Sequence, residues 1–221
     1  MDRLDLTHAL MVREIGNQLF LAPMEKEKVH KILDVGTGTG IWAMEIGDIF
    51  PNAEVIGNDL SAIQPECNLA PGCWVEFQDS SIEYYSDDGT LTEDHAMRKW
   101  NKTLISALES MGREPSPGPK LEGWVREAGF QGVQHSRYKI PLGPWPRDPF
   151  HKDLGYLNLQ QFKDGLEGFT MRMFCGVLQY SKEEAQVWLA QVRNELRNIH
   201  SFHSQFDLHV VYGQKPADEA P

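Results

Sequence analysis

Apolar and polar positions along this chain switch between a helical period and short extended runs. Residues 4–15 carry Leu4, Leu6, Ala9, Leu10, Val12 and Ile15, which predicts an amphipathic helix that the Gly16-Asn17 pair breaks. Val29 to Val35 is a short apolar strand that runs directly into Gly36-Thr37-Gly38-Thr39-Gly40. Ile41 to Phe50 returns to helical spacing and stops at Pro51-Asn52, and Ala53 to Asp59 is a second strand ending on an acid. Together these make a complete βαβ unit. Ser61 to Pro71 holds two prolines and no apolar period. Cys73 to Gln78 reads as a strand, 93–111 and 120–128 as helices, and 132–140 as a strand stopped by Pro141. Residues 152–200 read as helices with breaks near 165–168 and at Ser181, where Glu184 three residues on completes a capping box. Gln205 to Gly213 is the last strand. Strands separated by helices predict an α/β fold with a mainly parallel sheet.

The glycine stretch and the second acid carry the candidate chemistry. Three glycines after a strand let the backbone turn tightly and approach a ligand, and the following helix points free N–H groups at it. Asp59, 23 residues after Gly36, is placed to accept the two hydroxyls of a ribose. The spacing is G-x-G-x-G and lacks both the extra residue of the dinucleotide fingerprint and the Lys-Ser/Thr pair of a phosphate loop. That moves the reading from NAD towards S-adenosylmethionine, which has a ribose but no pyrophosphate.

Composition narrows the partners. The net charge of −11 disfavours a nucleic-acid backbone. No apolar run reaches the roughly 20 residues of a membrane helix, and Met1-Asp2-Arg3-Leu4-Asp5 lacks the features of a signal peptide. Cys67, Cys73 and Cys175 have no CxxC spacing, which argues against a disulfide framework and a zinc site and for a cytoplasmic or nuclear setting. His135, His151, His200, His203 and His209 are the candidate bases, His200 and His203 lacking the further ligands a metal needs. Tyr84, Tyr85, Trp100, Trp124 and Trp145 are candidates for an aromatic pocket, with core packing as the competing reading, and Glu76 reads as a solvated carboxylate. No catalytic residue is assigned.

Ile32-Leu33-Asp34-Val35-Gly36-Thr37-Gly38-Thr39-Gly40-Ile41-Trp42, followed by Val55-Ile56-Gly57-Asn58-Asp59-Leu60-Ser61, resembles the class I S-adenosylmethionine-dependent methyltransferases. The resemblance is to the fungal branch that includes the global regulators of secondary metabolism. Asp2 to Leu6, Gly72 to Phe77, Gly118 to Trp124, Gly143-Pro144-Trp145-Pro146 and His209 to Pro216 extend it over nearly the whole chain. It implies that Asp34, Gly36, Gly38 and Gly40 surround the methionine part of the cofactor, with Thr37 in the same loop. Asp59 would hold the ribose, with Leu60 beside it in the binding set.

Against the family pattern this chain is short. Leu69-Ala70-Pro71-Gly72 already resembles the turn before the family's fifth strand, so the resemblance implies that two strand-helix units, about fifty residues, are absent after Ser61, with the expectation that the segment preceding Asp2 in the family is absent too. The expectation is one domain over 1–221, a trimmed doubly wound sheet in the family order 2-1-5-7-6, with a C-terminal helical insertion over about 150–200. The expected function is an S-adenosylmethionine-dependent methyltransferase-family protein of fungal secondary metabolism, with a small-molecule acceptor and weakened cofactor binding. The alternative is a non-catalytic accessory or regulatory protein that binds a metabolite or a partner enzyme. A homodimer is a further partner candidate.

Overall fold

A computed structural model describes residues 3–58 and 70–217. The elements are α1 (Arg3–Glu14), β1 (Lys31–Val35), α2 (Ile41–Ile49), β2 (Glu54–Asn58), β3 (Trp74–Tyr85), α3 (Ala96–Ser110), α4 (Leu121–Glu127), β4 (Gln131–Pro141), α5 (Pro149–Thr170), α6 (Lys182–Arg197) and β5 (Gln205–Gln214). This is an α/β chain, as its alternation of periods predicts. It divides into two compact units: residues 1–77, 121–136 and 210–221 form the first, and residues 78–120 and 137–209 the second.

The sheet is the main departure from expectation. β1 and β2 form a parallel pair, while β3, β5 and β4 form a separate sheet in that order. In the family's strand numbers these are 2-1 and 5-7-6, so the neighbours within each group are as expected and the join between the first and fifth strands is missing. The second sheet is antiparallel: Gly72 and Cys73, before β3, exchange backbone hydrogen bonds with Lys215, after β5. The expected mainly parallel five-stranded sheet is therefore corrected. A parallel neighbour for β1 needs a crossover that lays an apolar helix on the sheet. The sequence between β2 and β3 has two prolines and no helical period.

In the first unit, α2 covers one face of the parallel pair. Ile46 and Phe50 are buried against Ile32 and Val55, and Leu19 and Phe20 close the cluster. Burial of Ile46 and Phe50 contributes about 1.5–3 kcal/mol each. The other face of the pair is open: Val35 is 68% and Ile56 40% exposed. A second cluster of Leu121, Val125, Val133 and Val211 packs with Val75 and Phe130.

The second unit holds the larger core, built by Trp100 and Leu104 of α3, Leu159 and Leu166 of α5, and Leu189, Val192 and Leu196 of α6, with Phe174 and Phe202. α5 runs unbroken through Gly165 and Gly168, where the sequence predicts an interruption. The burial of Leu166 in the core outweighs the roughly 1 kcal/mol that each helical glycine costs. A π-turn over Met171–Cys175 ends the helix instead. The capping box at Ser181 and Glu184 forms as its spacing predicts.

Two polar devices tie α3 down. The Glu195 carboxylate accepts from the amides of Ala96 and Met97 at 2.7 and 2.8 Å, capping a helix whose own N-cap residue provides no side-chain bond. Asn101 is fully buried; its Oδ1 accepts from Tyr84 N at 2.9 Å and its Nδ2 donates to Ile82 O at 2.8 Å. Asn101→Ala leaves those two backbone groups of β3 unpaired. We expect a stability loss of about 1–3 kcal/mol per orphaned group, measured by urea unfolding.

Candidate functional site

The first unit brings the glycine stretch together as the sequence predicts. Gly36, Gly38 and Gly40 have φ of 83°, 52° and 80°, the left-handed region that side chains disfavour. Gly40 N donates to Thr37 O at 2.8 Å, closing a turn, and Gly40 is the N-cap of α2 with no side chain to satisfy the helix's first amides. Those amides, with the positive end of the helix dipole, are available to an anionic group. Asp34 lies on β1 just before the loop. Its Oδ2 is buried and has no hydrogen-bond partner among the described residues. A buried carboxylate oxygen left unpaired is costly, and a cationic donor placed beside it removes that cost. Asp59 and Leu60, the ribose side of the expected set, lie outside the described residues.

Several contacts around the loop had no signal in spacing alone. Thr39 Oγ1 donates to Asp5 Oδ1 of α1 at 2.9 Å, and His8 Nε2 lies 2.8 Å from Glu45 Oε2 of α2. Thus Leu4 and Asp5 of α1 pack on the glycine loop. Trp42 Nε1 donates to Leu19 O at 3.0 Å. Glu76 is not a free solvated carboxylate: its Oε2 accepts from the amides of Leu21 and Ala22, both at 2.7 Å, and so holds the chain that enters β1. Gly57 of β2 lies opposite Asp34 in the ladder and directly beneath Thr37.

Most candidate bases are engaged structurally. His135 Nδ1 is 3.1 Å from Glu122, and His151 Nδ1 is 2.7 Å from Asp148, the N-cap of α5. His209 is buried on β5 with its ring against Gly118. His203 Nδ1 is 2.5 Å from Asp88, and the ring stacks on Trp145 at 4.8 Å. His200 is exposed in a short helical turn. Tyr84 and Trp100 pack edge-on against Phe162 in the core, and burial pushes the Tyr84 hydroxyl well above its usual range. Tyr85 OH donates to Asp207 at 2.8 Å, and Trp124 is 44% exposed. Among the described residues no three His, Cys, Asp or Glu side chains gather as metal ligands, and no described helix is long and apolar enough to cross a membrane.

Known proteins place this loop in a family. The chain is 38% identical to the methyltransferase pytC of Aspergillus terreus, over 97% of its own length and 80% of that protein. It is 31% identical to the probable methyltransferase tdiE of Emericella nidulans, over 98% and 82%. The chain belongs to this fungal methyltransferase family. The family is related to the secondary-metabolism regulators, of which LAE1 of Cochliobolus heterostrophus is 28% identical over 97% of the chain and 87% of that protein. The match to pytC runs over 263 aligned positions, more than the 221 residues of the whole chain, so over forty positions of the family have no residue here. That agrees in size with the shortfall expected from the sequence. No family model matches the chain. A solved structure of phosphoethanolamine N-methyltransferase 2 from Haemonchus contortus, with phosphomonomethylethanolamine and S-adenosylhomocysteine, is 14% identical with a TM-score of 0.42. The match covers 94% of this chain and about half, 52%, of that one.

The Asp88 cluster yields a pH dependence. The Thr90 hydroxyl and amide, and then His203, hold the Asp88 carboxyl down to about 2. The folded value lies below the unfolded 3.8, so this contribution to stability is complete above the unfolded value and is lost as pH falls through the folded one. Asp88→Asn is expected to flatten the acid limb of the stability curve between about pH 5 and about pH 2, read from urea midpoints.

Proposed function

We propose that this member of the fungal methyltransferase family binds S-adenosylmethionine at the β1–α2 loop and serves a small-molecule acceptor in secondary metabolism. The observation that carries the reading is the orphaned, buried Oδ2 of Asp34 beside a loop of three left-handed glycines that opens onto an uncapped helix. The methionine end of the cofactor has an ammonium and a carboxylate. Asp34 suits the first and the N-terminal amides of α2 the second. Asp59 would take the ribose hydroxyls. The bound cofactor supplies the electrophilic methyl group. The chain's own part is to orient it and exclude water, since methyl transfer depends chiefly on alignment.

A specific observation favours weakened binding. Val35, at the end of β1, is 68% exposed, and Ile56 and Met44 of the same unit are 40% and 65% exposed. A pocket that buries most of a ligand needs more than one wall, and polar contacts facing water have small net worth. The absent family positions correspond to such walls. The second reading is therefore a non-catalytic accessory or regulatory role, in which a second copy or a partner enzyme supplies the missing apolar wall.

Titration of the purified chain with S-adenosylmethionine tests both. We expect a dissociation constant no tighter than about 100 μM, a free energy near −5.5 kcal/mol. Asp59→Ala should weaken it further by about 1–3 kcal/mol through the lost ribose bonds. A micromolar constant for the chain alone overturns the weakened-site reading and restores a plain methyltransferase. No saturation even at millimolar cofactor removes the cofactor reading itself.

A further inference from the structure

We propose that Gly57 is a positioning residue for the glycine loop. It is the bare seat on β2 on which the Thr37 side chain rests, and this seat sets the height of the Gly38–Gly40 turn and of the first amides of α2. A glycine inside a strand weakens it and has to be explained by a bulge, a special backbone angle or a close approach. The ladder from Glu54 to Asn58 is unbroken, so there is no bulge. Gly57 does not have the left-handed φ that marks Gly36, Gly38 and Gly40, so the backbone would accept any residue. What remains is space. A Cβ on Gly57 would lie 2.6 Å from Thr37 Oγ1, 3.0 Å from its Cβ and 3.1 Å from its Cγ2. All three nearest atoms belong to that one side chain. Thr37 also begins the turn whose carbonyl accepts from Gly40 N, the N-cap of α2. Lifting Thr37 therefore lifts the turn and the helix start together. Asp34, whose Oδ2 has no hydrogen-bond partner among the described residues, sits opposite Gly57 in the ladder.

The consequence for the ligand rests on the cofactor reading above, but the seat itself can be tested without ligand. The backbone amide shifts and hydrogen exchange of Gly38, Thr39, Gly40 and Ile41 are compared by NMR in the wild type, Gly57→Ala, Thr37→Gly and the double variant. Gly57→Ala is expected to move these amides and to weaken S-adenosylmethionine binding by about tenfold or more, as an overpacked contact does. Thr37→Gly removes all three clashing atoms, so in the Gly57→Ala background it returns the amides to those of Thr37→Gly alone and restores most of the affinity. Thr37→Ser keeps Oγ1 and Cβ and does not rescue. Unmoved amides in Gly57→Ala, or no coupling between the two substitutions, overturn the proposal. If Gly57→Ala does not fold, a folded double variant supports the seat and an unfolded one overturns it. If the wild type fails to bind at millimolar cofactor, the cofactor reading fails while the amide shifts still decide the role of Gly57.

Discussion

The parallel ladder between β1 and β2 is five residues long, and the geometry of the glycine loop depends on it. Hydrogen bonds alone would not hold so short a parallel pair; its stability comes from Ile46 of α2 and Phe50 directly after it, which pack on Ile32 and Val55 on one face. With β1 and β2 held in register, Asp34 comes opposite Gly57 and Thr37 comes down on it. The turn closed by Gly40 N to Thr37 O then leads into α2. Trp42, Glu76 and Asp5 reinforce this from outside, through Leu19, through Leu21 and Ala22, and through Thr39. A one-residue slip in the ladder would turn Asp34 to the opposite face and undo the site.

The second unit is organised differently. Its core is thick and helical, and its polar side chains serve mainly to fasten elements: Glu195 caps α3, Asn101 pins α3 to β3, and Asp88 with Thr90 and His203 closes a loop. Histidines engaged in this way have a structural use. This member of the fungal methyltransferase family has its candidate cofactor-binding groups in the first unit, in backbone amides and one carboxylate.

The parallel pair is covered on one face only. Parallel strands are usually covered on both faces, and here one face of the pair leaves Val35 and Ile56 open. In a doubly wound sheet a ligand crevice lies outside the carboxyl ends of the strands, where β1 hands over to the glycine loop.

Local patterns were enough to find the βαβ unit, the glycine loop, the break at Gly16 and Asn17 and the capping box at Ser181, because each depends on residues a few positions apart. The family was legible for the same reason, in the run from Ile32 to Trp42. The run of β3 on to Tyr85, the separation of the two sheets and the continuity of α5 through two glycines were not legible, since each is settled by burial against distant residues. Glu76 shows the limit plainly: its sequence context reads as a solvated acid, and only the arrival of Leu21 and Ala22, more than fifty residues earlier, makes it a structural anchor. Gly57 is the same case in reverse. Its backbone would accept any residue, and the reason it is glycine lies in a side chain that the fold brings from the preceding loop.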